Sequence, residues 1–487
     1  MIKSIQYLQE IGIKKFQKTF EEFYSDPTRF AEFVLNLQVN LNEWGRMMIK
    51  EGLEEIDLQI KNSRKRHYDG WLVDNTNSKE LITSLGALKF MKTSYYNKTT
   101  GEYKYLLDSA VGFEPGKKIT EDAMANMYKE AAQTSYRRSG EIMSKDTVVS
   151  KATIKNKLHS LKFPPEVKPE KKKRVEYLYI DADEDHVSLQ FNSQKGDLIK
   201  GTNGRKENGM ITKLVYVYEG IEKEGPQSKR HRLINPHYFC GSTMDKKNSD
   251  FWSEIMEYIE TNYEVDSIKK IYLNADGGNW IKEGKTKIPG ITYVVDEFHL
   301  NQWLLKMTGH MKDSAWDARV ELRKAMRSGT KKDFINICTR LKDLTTNEKE
   351  MNAVISGEKF ILSNFTACKI RIIKTEGLVG CSAEGHVSHT LSCRMSSLPM
   401  GWSRLGATNM AKLRAYYLND RNFLELARYQ KKEIPVAVGA EYYTGSAEAA
   451  RDRVHTDDMH RYFDRMIVEV PGFVKRQAWM KCHEWLF

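Results

Sequence analysis

Three short apolar runs between residues 175 and 300 each stop on an aspartate, and no other feature of the chain constrains its fold as much. They are "VEYLYIDADEDHV", "IKKIYLNADGGNW" and "ITYVVDEFHL". Runs of this length, rich in β-branched and aromatic residues, read as buried strands. "KLVYVYEG" supplies a further strand, and "DFWSEIMEYIETNY" spaces Phe251, Ile255, Tyr258 and Ile259 for one face of a helix. Strands followed by helices in alternation imply an α/β domain with a mixed sheet.

The remainder of the chain frames this core. At 487 residues it is too long for one ordinary core, and 40% hydrophobic residues fit a globular protein. "FAEFVLNLQVNLNEWGRMMIKEGLEEIDLQI" has helical apolar spacing and no proline, and "NSRKRHYDG" closes it with a basic cluster. "LGALKFMKTSYYNKTTGEYKYLLD" alternates around a polar turn, a β-hairpin pattern that interleaves Lys89, Lys92, Lys98 and Lys104 with tyrosines. "SYRRSGEIM", a break, and "VSKATIKNKLHSL" read as two short helices. Ser150 caps the second, Ile154, Leu158 and Leu161 share its inner face, and Lys151, Lys155 and Asn156 point away. That arrangement suits a helix-turn-helix, with a plain helical hairpin as the alternative. "KFPPEVKPEKKKRVE", with three prolines and a charge run, reads as a linker. The division expected is 1–80 helical, 81–112 hairpin, 113–165 helix-turn-helix, 166–175 linker, 176–300 first part of the core, 301–380 helical insertion, 381–411 completion of the core, and 412–487 C-terminal region.

A formal net charge of +12 points to a polyanionic partner. Six cysteines without a Cys-x-x-Cys pair fit reduced thiols. No apolar run is long enough to span a bilayer and no secretory leader is visible, so a cytoplasmic, membrane-free location is expected.

Carboxylates carry the chemistry. Asp181, Asp183 and Asp185 lie in the first run, Asp276 ends the second, and Glu384 falls in the first turn of a helix that Ser382 can cap in "GCSAEGHVSHTLSCRMSS". Val387, Leu391 and Met395 would pack that helix on the sheet and hold Glu384 over the strand ends. Taken singly, each carboxylate is an ordinary turn or cap residue. Taken together, hard oxygen ligands at two strand ends and on a helix suit two Mg²⁺ or Mn²⁺ ions about 4 Å apart, the arrangement of phosphoryl-transfer sites. Asp296 and His299 in "VVDEFHL" follow a strand and open a helix. Cys381, His386, His389 and Cys393 form a rival zinc set, without the usual knuckle spacing.

These segments, in this order, resemble the ISLre-type insertion-sequence transposases, relatives of the Mutator-like group. The most specific block is "EGHVSHTLSCRMSSLPMGWS". The resemblance implies a ribonuclease H-like core with a helical insertion, preceded by a mainly helical DNA-binding region with a β-hairpin. It implies an Asp-Asp-Glu triad at Asp183, Asp276 and Glu384, with Asp181 as the alternative first ligand and Asp296 and His299 as a second signature. Two Mg²⁺ (or Mn²⁺) ions, cleavage at the ends of a DNA element and strand transfer into target DNA are its expected activity. Terminal inverted repeats, target DNA and a second copy of the chain are its expected partners, in a nucleoid-associated setting. The expected DNA contacts are Arg137, Arg138, Lys151, Lys155, Asn156 and Arg394. Leu398 departs from the family pattern, where arginine is expected. Two other readings of the same residues are a transposase-derived DNA-binding protein without catalysis and a metal-dependent nuclease without strand transfer.

Overall fold

The computed structural model describes residues 3–190, 199–200, 206–207, 209–242, 247–398 and 400–431. The described chain divides into two compact units. One comprises the residues up to Ala123 with Ser144–Thr147, and the other Met124–Met143 with Val148–Gln430.

In the first unit, α1 (Ile13–Ser25) and α2 (Phe30–Asn62) precede β1 (Trp71–Thr83), β2 (Gly86–Asn97) and the short β3 (Tyr103–Lys104). The C-terminal half of α2 lays Leu53 and Ile60 on Leu81, Leu88, Phe90 and Tyr95 of the sheet. The main hairpin therefore turns at residues 84–85, while the polar turn expected to close it joins β2 to β3 instead. Its first strand was hidden in the sequence because "DNTNSKE" carries turn chemistry. That strand tolerates polar residues because most of it is open to solvent. Of the lysines interleaved with tyrosines, Lys92 is buried, with its Nζ 2.6 Å from Asp108.

The second unit holds α3 (Tyr136–Ile142) and α4 (Lys151–His159), the two helices of the expected helix-turn-helix. Gly140 lets them close: a Cβ there would lie 2.1 Å from the Val149 carbonyl oxygen. These helices belong to the same unit as the sheet. Asn409 donates to the Leu158 carbonyl at 2.9 Å and so docks α4 on α12, defined below. The "linker" likewise does not separate the units. Lys173 donates its backbone N–H to Asn262 at 2.8 Å, and Glu166 pairs with Arg421 at 2.6 Å. Its prolines and charges make it extended, while these bonds hold it to the unit.

The centre is a mixed sheet of β4 (Tyr177–Ser188), β5 (Gly209–Tyr218), β6 (His237–Ser242), β7 (Lys270–Ala275) and β8 (Ile291–Val295), in the order β6-β5-β4-β7-β8. β4, β5 and β6 run antiparallel in turn, and β7 and β8 run parallel to β4. Between β6 and β7, α5 (Asn248–Asn262) buries Phe251, Trp252, Ile255 and Ile259. After β8 comes the helical block, α6 (Glu297–Thr308), α7 (Ala315–Ser328), α8 (Lys331–Asp343), α9 (Glu348–Ser363) and α10 (Phe365–Ile373). Leu300, Leu322, Phe334, Val354 and Cys368 join it to the sheet core. The chain returns through α11 (Ala383–Val387), which runs on through a π turn to Met395, and ends its described part in α12 (Arg404–Leu418) and a short helix to Tyr429. Most of the expected C-terminal region, 432–487, lies outside the described residues. No helix among the described residues is long and apolar enough to cross a membrane.

Candidate functional site

Alternation along β4 puts Asp181, Asp183 and Asp185 on one face. Asp181 is fully buried, and its oxygens are taken up. It accepts from Asn274 Nδ2 (2.7 Å), Tyr216 OH (2.8 Å), Tyr218 OH (3.1 Å) and the Ser382 backbone N–H (3.2 Å). Arg371 backs this group, donating to Asn274 Oδ1 at 2.6 Å and to the Val295 and Val379 carbonyls at 2.9 Å each. At the other end Asp185 accepts from Ser396 Oγ at 2.8 Å. Ser382 and Ser396 thus pin the helical segment between them along β4, with Val387, Leu391 and Met395 buried beneath it as their spacing predicts.

Between these pins lies Asp183, 8% exposed. Burial pushes its carboxyl up to about 7. The Glu184 N–H, 2.8 Å away, opposes this. The charges of Asp276 and Glu384 push further up, and His299 pulls down. Its carboxyl thus lies within electrostatic reach of two others, one past a strand end and one on a helix far apart in sequence. Glu384 itself is exposed on the first turn of α11.

Asp276 stands just past β7. Its Oδ1 accepts from the Gly278 N–H at 2.8 Å, closing a tight turn. Gly277 has φ +107, and a Cβ there would lie 2.7 Å from Phe360 Cε2 of α9. The turn therefore needs glycine both for its backbone and for the close approach of the helical block. Trp280 beyond it is packed: it is 8% exposed and donates Nε1 to Glu184 at 2.6 Å.

Asp296 caps α6 through the Phe298 N–H (3.2 Å) and meets His299 Nδ1 at 3.2 Å. That hydrogen bond is the main reason the His299 pKa is raised. Burial opposes it, and the charges of Asp296, Asp276 and Asp183 add to it. Beside Asp276 and His299 opens a cavity of about 480 Å³, lined also by Phe298, Trp303, Lys306 and Phe360.

The carboxylates fit a divalent cation in kind: they are hard oxygen donors, one of them buried against like charge. Among the described residues, however, no three Asp, Glu, His or Cys side chains converge into a ready-made metal cage. In the rival zinc set, the His386 ring packs tilted against Tyr216 (centroids 4.5 Å apart) and meets Tyr238 OH at 3.2 Å through Nδ1, and Cys393 Sγ donates to the His389 carbonyl at 2.9 Å.

Of the expected DNA contacts, Arg137, Arg138, Lys151, Lys155 and Asn156 are exposed on α3 and α4. Ser150 caps α4 by accepting from the Thr153 N–H. Arg394 is not on the surface. It is 6% exposed, donates Nε to the Ala131 carbonyl at 3.1 Å, and lies over the Trp402 ring at 5.1 Å. Leu398 is 62% exposed.

Sequence reasoning missed the second layer, namely Tyr216, Tyr218, Asn274 and Arg371. A signal for it existed. Asn274 interrupts an apolar strand two residues before Asp276, and "VYVY" repeats tyrosine with period two opposite Asp181.

Comparison with known proteins agrees over most of the chain. Two UPF0236 proteins of Caldanaerobacter subterraneus subsp. tengcongensis are similar to it. One is 32% identical over 426 residues, 86% of this chain and 85% of the relative. The other is 33% identical over 420 residues, 85% and 84% respectively. The model of an uncharacterised protein family, UPF0236, matches residues 25–433, and with such relatives along nearly the same span the chain belongs to that family.

Proposed function

We propose that this chain is a DNA transposase, a polynucleotidyl transferase that cuts at the ends of a mobile element and joins them to target DNA. The observation that carries the reading is that the charges of Asp276, just past β7, and Glu384, on α11, both reach the buried Asp183 of β4. The sheet order supports a ribonuclease H-like core, with three antiparallel strands followed by two parallel ones, a carboxylate midway along β4 at Asp183 and another just past the end of β7 at Asp276. The five helices between β8 and α11 correspond to the expected insertion. A further support comes from the relatives. The name of one joins eleven locus labels and that of another joins four. One protein carried at many loci of a genome is what element copying leaves behind.

In this reading Asp183, Asp276 and Glu384 hold Mg²⁺ or Mn²⁺, which when bound would activate the attacking oxygen and screen charge on the phosphate. The chain's own part is positioning. Asp296 fixes His299, whose ring faces the cavity and can hold a phosphate oxygen. The Gly277–Gly278 turn gives a nucleic-acid backbone room beside Asp276. Arg137, Arg138, Lys151, Lys155 and Asn156 supply a basic surface for the element's terminal repeats. In the first displacement water's oxygen bonds to phosphorus and the 3′ oxygen departs, taking a proton. In the second, the freed 3′ hydroxyl gives up its proton as its oxygen bonds to a target phosphorus, and the target strand's own 3′ oxygen departs, taking a proton. Residence on DNA, in the nucleoid, follows from this activity.

The test is cleavage of a duplex carrying the sequences that flank the gene, in Mg²⁺ or Mn²⁺. Asp276→Asn should lower the cleavage rate by roughly 10³-fold, about 4 kcal/mol of barrier, while end binding persists. Cleavage by Asp276→Asn at the wild-type rate overturns the assignment.

A further inference from the structure

The N-terminal half of α2 is apolar where it should be polar. Phe30, Val34, Leu37, Leu41, Trp44 and Met48 recur at spacings of four and three, the seam of a heptad repeat. Phe30, Val34, Leu41 and Met48 are 59, 46, 48 and 52% exposed. One neighbouring side of the helix is already covered by α1. Phe20 and Phe23 pack on Phe33 with ring centroids 5.2 and 4.6 Å apart, Asn40 donates to Thr19 at 3.1 Å, and Lys15 pairs with Glu43 at 2.5 Å. Leu35 and Val39, on a different side again, are each 60% exposed. A helix apolar on several sides belongs inside a larger assembly.

We propose that this helical arm, residues 13–48, pairs with the same arm of a second copy of the chain, so that two hairpins complete one four-helix bundle. Charge selects the occupant. From Phe33 to Asn42 the arm has no charged residue, and Glu32 and Glu43 bracket the stretch. It offers nothing to a polyanion, and two copies of it meet without like-charge repulsion. A seam in heptad register is complementary to another such seam, and an isologous contact lets one surface serve both partners. The proposal is independent of the catalytic reading and adds to it only where the expected second copy attaches.

Sedimentation equilibrium of the full chain, without DNA or metal, tests it. The wild type should form a reversible dimer. Val34→Glu with Leu41→Glu should raise the dimer dissociation constant by roughly 100-fold or more. Val73→Glu, on β1 rather than on the arm and 41% exposed, should leave it unchanged. Circular dichroism and melting of each variant verify folding. If the doubly charged variant does not fold, Leu41→Gln with Val34→Thr provides the same comparison. A wild type that stays monomeric, its arm covered by its own chain, overturns the proposal. So does a dimer that the seam substitutions leave intact.

Discussion

Asp181 and Asp183 stand two residues apart on the same face of one strand, yet the fold gives them opposite tasks. Four donors surround Asp181, and Arg371 braces one of them through Asn274. Asp183 has one backbone donor and two carboxylates for neighbours. Substitution should separate the two. Asp181→Asn turns an acceptor into a donor facing donors, and should cost about 1–3 kcal/mol of folding stability. Asp183→Asn removes a charge that its surroundings disfavour. It should leave the melting temperature unchanged or higher while abolishing cleavage. Thermal melts and cleavage rates on the two proteins check this, and equal melting temperatures would contradict the division. The sequence reading set both aspartates at the close of a strand, whereas β4 runs through them to Ser188, and it could not show which was saturated. The donors come from β5, β7 and α11, up to 201 residues away.

At the scale of elements, most of what could be read locally was read correctly, although Ser382 opens α11 without capping it and turns its hydroxyl to Tyr216 OH instead. The Ser150 cap, the inner face of α4, the buried stripe of the Glu384 helix and the helical block after β8 all rest on spacing within a single segment. What failed depended on the rest of the chain. β1 was hidden because its polar residues face solvent, and the proline-rich segment passed for a spacer although Asn262 and Arg421 tie it down. Arg394 passed for a DNA contact although the Ala131 carbonyl and the Trp402 ring occupy it. The Gly277 turn lies between these cases. Its glycines were visible, but the reason for one of them, the approach of Phe360 from α9, was not. Gly277→Ala should therefore strain the site by about 1–3 kcal/mol, through both the positive φ and the contact with Phe360. Adding Phe360→Ala should restore only part of the lost cleavage, because the backbone strain remains. Full restoration by the second substitution would show that φ does not matter at this turn.

For the molecule as a whole, acid stability gives a test of how firmly the second unit is assembled around its edge strand. His237 of β6 stacks on Tyr258 of α5 at 4.1 Å. Burial first, and the charge of Arg421 second, hold its pKa down at about 4. Arg421 also pairs with Glu166, so the cation that fastens the proline-rich segment is the one that disfavours a second positive charge on His237. In the unfolded chain the same imidazole titrates near 6.5. Between these values the unfolded state takes up the proton and the folded state does not, so the contribution of His237 is complete above about 6.5 and is lost as pH falls toward 4. Other groups shift the total. Asp183, raised to about 7, gains stability on acidification, and His386, also held near 4 by burial, loses it. The decisive quantity is therefore a difference. The unfolding free energies of the wild type and of His237→Gln, measured by urea titration at a series of pH values, should run parallel above pH 7. Their gap should then close by about 1.4 kcal/mol per pH unit between about 6.5 and 4, since the variant has no proton to gain there. Curves that stay parallel throughout would mean that His237 is as easily protonated in the fold as in water, and that the edge of the sheet is open where the structure has it closed.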